Sequence, residues 1–285
     1  MSVDSVSTSK AKPSVERLIC SAGSMGALAL VGAIMALEEA NLLSECRVYS
    51  GSSMGSIIAA LASVGYTGHE LKRAVKKLRY EDLADVQVLG LLENYGMETG
   101  KNICALLESM IEYKTGQREL TFRQHHDLTG RELYISATCV ELDECEYFSV
   151  HTEPDMPIVL ALHMSIALPW LMAAVRWHGR TYIDGGIYAP CPTMNFPAEG
   201  TLALQIVNGP PAMALGDYGF MKFTADVLLG IYKRVQAQQY ESVRSKYRVV
   251  VIDTGASSMS FSTSKSQRVE IIHRGYKATR ESLGF

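Results

Sequence analysis

Apolar and polar positions alternate along this chain in a regular order of short strands and helices. Residues 17–20 are a brief apolar run that predicts a buried strand; a Gly-rich turn and an Ala-rich helix over 26–41 follow. A second strand over 46–50, a second Gly turn and an apolar helix over 55–64 complete a βαβα unit, which implies a parallel sheet with crossover helices. From 69 to about 130 the chain is richer in charge, and Ile103, Leu106, Leu107, Met110 and Ile111 recur at helical spacing. Strands are predicted at 132–140 and 147–150, a helix of small residues at 158–165, and another strand before Asp184. A strand at 202–207, a long helix at 223–239, a strand at 247–252 and a helix at 267–283 close the pattern. The expectation is one α/β domain over 15–285 with a helical insertion at about 66–130, preceded by a Ser- and Lys-rich disordered tail, 1–14.

Composition narrows the function classes. The chain has 285 residues, is 47% hydrophobic and carries a net charge of −3, so no overall basic field calls for nucleic acid. Six cysteines without a CxxC pair read as free thiols of a reducing compartment, and their spacing offers no zinc site. The uncharged stretch 18–37 is long enough for a membrane span, but its interior Cys20-Ser21-Ala22-Gly23-Ser24-Met25-Gly26 is turn-forming and splits it. No signal peptide is expected, and the reading is a soluble, cytoplasmic protein in transient contact with membranes.

The chemistry concentrates at Gly51-Ser52-Ser53-Met54-Gly55. This is a G-x-S-x-G sequence placed between a predicted strand and a predicted helix, as a nucleophile elbow requires. Gly51 and Gly55 permit close backbone approach around a strained Ser53, and the helix N-terminus favours a developing anion. Ala22-Gly23-Ser24-Met25-Gly26 has nearly the same pattern, so spacing alone leaves Ser24 as a rival nucleophile. Both segments find a role if the first supplies backbone N–H donors, around Ala22 and Gly23, and the second supplies the serine.

A serine nucleophile needs a base. His273 lies in an amphipathic helical pattern and not at a sheet edge; His125 and His126 precede Asp127 in a polar segment read as a solvated turn. His69, His151, His163 and His178 are no better placed. Asp184, at the end of the β-prone run Arg180-Thr181-Tyr182-Ile183 and followed by Gly185 and Gly186, puts a carboxylate at a strand end with room for a close neighbour.

These residues resemble the patatin-like phospholipase family from about Val15 onward. The likeness rests on the ordered set of the Gly23 to Gly26 loop, the Ala-rich helix, Gly51 to Gly55, Ser165-Ile166-Ala167-Leu168-Pro169 and Asp184-Gly185-Gly186. The resemblance implies a three-layer α/β/α fold with a mainly parallel central sheet. It also implies a Ser53–Asp184 dyad without histidine, and hydrolysis of phospholipid or other acyl-ester lipids without a metal or cofactor. The chain departs from the family in two places. The oxyanion loop usually reads Gly-Gly-Gly-x-(Arg/Lys)-Gly, where Ser21-Ala22-Gly23-Ser24-Met25-Gly26 stands here. An Asn-containing turn usually follows the Asp-Gly-Gly, where Ala189-Pro190-Cys191-Pro192 stands here.

Those departures keep a second class open, a catalytically silent relative that binds lipid or a partner. A third class is a nucleotide-binding α/β protein using the Gly23 to Gly26 loop, although that loop lacks both G-x-G-x-x-G and a P-loop lysine. Lys72, Arg73, Lys76, Lys77 and Arg79 form a basic helical cluster suited to phosphate headgroups or simply to solvent, and the apolar segment 86–92 suits an acyl pocket or core packing.

Overall fold

The computed structural model describes residues 14–79, 83–87, 90–209, 220–257 and 264–285. The predicted tail lies outside these, except for Ser14. The chain opens with β1 (Arg17–Cys20), α1 (Ala29–Glu39), β2 (Val48–Ser52) and α2 (Met54–Ser63). Next come α3 (Gly68–Lys77), α4 (Gly90–Asn94), β3 (Gly96–Glu98), α5 (Lys101–Thr115) and α6 (Phe122–Thr129). They are followed by β4 (Glu132–Cys139), β5 (Glu144–Phe148), α7 (Ile158–Ile166), β6 (Trp170–Met172), β7 (Val175–Trp177) and β8 (Arg180–Asp184). β9 (Thr201–Gly209), α8 (Phe220–Lys246), β10 (Arg248–Ser257) and α9 (Lys265–Leu283) end it.

Strands β10, β9, β1, β2 and β4 lie side by side and all run parallel. Beyond them β5 and β8 pair antiparallel with β4, and β7 pairs antiparallel with β8. The layering follows from strand periodicity, since successive side chains point to opposite faces. Leu18 and Cys20 of β1 share one core with Leu202, Leu204 and Ile206 of β9 and with Leu30, Ile57, Leu162 and Ile272 of α1, α2, α7 and α9. The alternate positions Ile19 and Ala203 enter a second core with Tyr240 and Val243 of α8. Helices therefore cover both faces of a mainly parallel sheet, the α/β/α arrangement expected from the sequence.

Helices α1 and α9 cross in near backbone contact. A Cβ at Gly32 would collide with the Ile272 carbonyl, and one at Gly275 with the Ala29 carbonyl, so each glycine makes room for the other helix. The apolar stretch 18–37 divides as expected into β1, a loop, a 3-10 turn (Ser24–Leu28) and α1. Among the described residues no helix is long and apolar enough to cross a membrane.

Several elements differ from the sequence expectation. β2 begins two residues later than predicted and carries the chain to Ser52, and α8 is longer at both ends. The stretch 66–130 holds not only helices but β3, which pairs with β6 in a separate two-stranded sheet; β6 and β7 are likewise absent from the sequence pattern. Three residues carry too little periodicity to announce a strand. Of the segment 86–92, Val88 and Leu89 lie outside the described residues, Val86 is exposed, and α4 takes up 90–94. His125 is not in a solvated turn: it lies in α6 and is buried, because that helix turns its Phe122 and His125 face inward.

Candidate active site

Between the last residue of β2 and the first of α2 stands Ser53, with φ 53° and ψ −137°. Non-glycine residues avoid this region, and it persists only where surrounding contacts impose it. Those contacts are present. The Ser53 N–H donates to Ser165 Oγ at 2.9 Å, and the Ser53 carbonyl accepts from Ser56 N–H at 2.9 Å and Ser56 Oγ at 2.6 Å. A Cβ at Gly51 would collide with Ser56, and one at Gly55 would collide with the carbonyl groups of Cys20 and Ser21. The two glycines of the elbow thus let the turn close on itself and on the loop after β1.

Asp184 ends β8, where Ala137 of β4 is its register partner. Its N–H donates to the Ala167 carbonyl at 2.9 Å and its carbonyl accepts from Thr138 Oγ1 at 3.0 Å, which fixes the backbone. Gly185 packs where a Cβ would strike the Ser136 carbonyl, and the Gly186 N–H donates to Asp184 Oδ1 at 2.7 Å. The other carboxylate oxygen, Oδ2, accepts from Ser53 Oγ at 2.6 Å. Burial pushes the Asp184 pKa up from 3.8 to about 6, against the Ser53 hydroxyl and the Gly186 N–H, which both favour the anion.

The Gly-rich loop lies beside the elbow because β1 and β2 are sheet neighbours with Cys20 opposite Gly51. Ala22 departs from the role expected of it. Its N–H donates to the Pro190 carbonyl at 2.7 Å, so it is committed to the turn that follows Asp184 and is not aimed at a substrate. Of the two predicted donors this leaves Gly23, which caps the 3-10 turn and packs where a Cβ would stand 2.8 Å from Ile206 Cγ2. The Pro190 carbonyl thus ties the turn after Asp184 to the loop after β1.

The rival candidates lie apart from this arrangement. Ser24 opens the 3-10 turn at φ 46°, and among the described residues its hydroxyl meets no carboxylate. His273 is exposed on α9. The ring Nε2 of His125 lies 2.9 Å from Ser63 Oγ, at the far end of α2 from Ser53. Ser63 already gives its proton to the Ala60 carbonyl, so the imidazole is the donor. Burial, with Arg131 nearby, pushes its pKa down to about 4. Among the described residues no group of His, Cys, Asp or Glu is arranged to hold a metal ion. Two contributors carry no signal of their role in the sequence: the hydroxyl of Ser165, although its segment belongs to the family pattern, and the Ala167 carbonyl.

A family model for patatin-like phospholipases matches residues 18–197, which include every residue named for this site and its rivals except Ile206 and His273. A probable lipid hydrolase, 463L, of Invertebrate iridescent virus 6 is 29% identical over 187 residues, 64% of this chain and 61% of its own length. An uncharacterized protein of Acanthamoeba polyphaga mimivirus, R571, is 25% identical over 94% of both chains. Among solved structures, VipD from Legionella pneumophila superposes with a TM-score of 0.71 over 96% of this chain and 67% of its own, at 15% identity. ExoU of Pseudomonas aeruginosa, in complex with SpcU, gives 0.58 over 96% of this chain and 53% of its own, at 18% identity. At such identities the two structures share the fold.

Proposed function

The chain belongs to the patatin-like phospholipase family, and from that membership we infer that it hydrolyses lipid acyl esters with Ser53 as nucleophile and Asp184 as general base. The observation that carries this reading is the 2.6 Å hydrogen bond from Ser53 Oγ to Asp184 Oδ2, made at a strained strand-to-helix turn. A carboxylate with a pKa of about 6 is well matched to general-base work, being ionised at neutral pH and still basic enough to accept a proton in the transition state.

Ser53 Oγ attacks the ester carbonyl carbon while its proton passes to Asp184 Oδ2. The carbonyl oxygen becomes an oxyanion facing the Gly23 N–H and the N-terminus of α2, whose unpaired N–H groups and dipole favour negative charge. Collapse of the tetrahedral intermediate breaks the ester C–O bond, and Asp184 returns the proton to the departing alkoxide. Water then gives a proton to Asp184, attacks the acyl-serine and releases the fatty acid, and Ser53 recovers its hydrogen. The Gly186 N–H keeps Oδ1 occupied throughout, so proton exchange is confined to Oδ2.

A fluorophosphonate probe tests the assignment, because it reacts only with an activated serine. Covalent labelling of the wild-type chain that maps to Ser53, and is lost in Ser53→Ala, supports it. A folded protein that resists labelling would instead be the silent, lipid-binding relative.

A further inference from the structure

Among the described residues, the large apolar side chains left in water are not spread evenly. Tyr113, Leu128, Val227 and Val251 are exposed singly on α5, α6, α8 and β10. The others fall on two elements that connect directly to the residues around the Ser53–Asp184 pair. The first, the tip of the β4–β5 hairpin, carries Val140 and Leu142, and Tyr188 joins it through a hydrogen bond to Asp143. The second, the β3–β6 ribbon, carries Tyr95 (54% exposed) and Trp170 (38% exposed), with Val86 bridged to Glu98 at its edge.

Chain connectivity keeps both groups close to the pair. Trp170 follows by three residues Ala167, whose carbonyl holds the Asp184 N–H. Val140 follows by three the register partner of Asp184, and Tyr188 follows Asp184 by four. Three or four residues span at most about 10–14 Å.

The ribbon is built to present its aromatic rings. Tyr95 and Trp170 both hold left-handed backbone, φ 64° and 65°, which bulky residues avoid. The Trp170 N–H donates to the Tyr95 carbonyl at 2.9 Å, and Ala173 and Ala174 donate to Glu98 and Asn94 at 2.8 and 3.0 Å. Gly96 sits against Met172 with no space for a side chain, so the two strands are locked together. Strain and exposure are thus maintained where a buried aromatic would have been the simpler outcome.

Charge points to the occupant. Among the described residues Lys72, Arg73, Lys76 and Lys77 stand together on α3, and no ion pair to a carboxylate is formed by any of the four. The helix that precedes the Val86 segment thus gathers four cations in a chain of net charge −3. Amphipathic rings and, elsewhere on the surface, a helix of unpaired lysines and arginines match a layer of anionic phospholipid, in which Trp and Tyr settle at the headgroup–acyl boundary and cations meet phosphates.

We propose that this apolar rim is the surface by which the protein settles on a phospholipid layer, with Tyr95 and Trp170 as its anchors and α3 facing anionic headgroups. The inference rests on the lipid hydrolase reading for its occupant. Docking there brings the mouth of the Ser53–Asp184 site against the layer from which an acyl ester must be drawn.

Sedimentation with phosphatidylcholine vesicles containing phosphatidylserine tests it, using Ser53→Ala protein so that binding is measured without turnover. Tyr95→Asn with Trp170→Asn keeps a residue that tolerates left-handed backbone. This pair should weaken vesicle binding on the order of tenfold. In the Ser53-containing chain the same pair should slow hydrolysis of vesicle lipid and leave a dissolved short-chain ester untouched. A second measurement needs no change at the rim: Trp177→Phe leaves Trp170 as the remaining tryptophan of two, and its emission should shift to the blue on vesicles. Unchanged vesicle binding in the double variant, or unmoved Trp170 emission, would overturn the proposal, the latter also covering a protein partner at this face. Vesicle binding through these residues in a protein that resists the fluorophosphonate would uphold docking and sink hydrolysis alone.

Discussion

The Ser53 hydroxyl donates directly to Asp184 Oδ2 at 2.6 Å, with no imidazole interposed between nucleophile and carboxylate. In the proposed mechanism proton transfer is therefore a single step between two side chains whose backbones are each pinned by neighbours.

Asp184→Asn keeps the size of the side chain and removes its basicity. Turnover of a soluble ester should fall by about 10²–10⁴, the usual worth of a general base. His273→Ala and Ser24→Ala should retain substantial activity. Steady-state rates of the three variants decide the matter, and a dead His273→Ala with native thermal stability would replace the dyad by a histidine mechanism.

The Asp184 base must be ionised, so kcat/KM should rise with pH through about 6. A profile flat from pH 5 to 8 would show that no group of this kind is titrating in the free enzyme.

Stability should respond to the same carboxyl in the opposite sense to His125. Asp184 binds its proton more tightly folded than unfolded, so its contribution is present at low pH and is lost as pH rises from 3.8 to about 6. His125 has a depressed folded pKa, so its contribution is present above 6.5 and is lost as pH falls toward 4. Each is worth on the order of 3 kcal/mol, and over this window they nearly cancel. Asp184→Asn should uncover the His125 dependence: its melting temperature should drop on acidification from pH 6.5 to 4 more steeply than that of the wild type.

Ser165→Ala leaves the Ser53 N–H buried without its acceptor, at a cost of about 1–3 kcal/mol. The left-handed turn at Ser53 loses part of its support, so the rate of fluorophosphonate labelling should fall further than the loss of stability explains. Labelling kinetics compared with thermal unfolding would separate the two effects.

The Gly23 N–H is proposed to face the oxyanion, each such donor being worth about 10²–10³ in rate. Gly23→Val should depress ester turnover, and because its Cβ would press on Ile206 it should also lower the melting temperature. Ala22→Gly should retain or raise turnover, since its N–H is already held by Pro190. Wild-type turnover in Gly23→Val would remove this loop from the mechanism.

Much of this was legible in the sequence where a short pattern narrows the physical solutions. A strand, Gly51 to Gly55 and a helix favour a sharp turn at Ser53, and two glycines after Asp184 favour a strand end there, although the similar pattern at Ala22 to Gly26 left Ser24 as a rival. The β1–β2 neighbour relation followed from the parallel crossover. What stayed hidden depends on contacts distant in sequence. Nothing near Ala22 announces that Pro190 takes its N–H, and nothing in the polar run around His125 reveals a helix turning that ring onto Ser63. The β3–β6 ribbon is invisible for the same reason: each strand is three residues long and exists only through the other.

The meeting of Gly55 with the carbonyls of Cys20 and Ser21 has a further consequence. Main chain rests on main chain there, and no side chain stands between as an adjustable spacer. The gap between the elbow that carries Ser53 and the first loop is thus a fixed dimension of the peptide framework. The gauge of the site is held by the elbow glycine together with the pairing of Cys20 and Gly51, main chain against main chain.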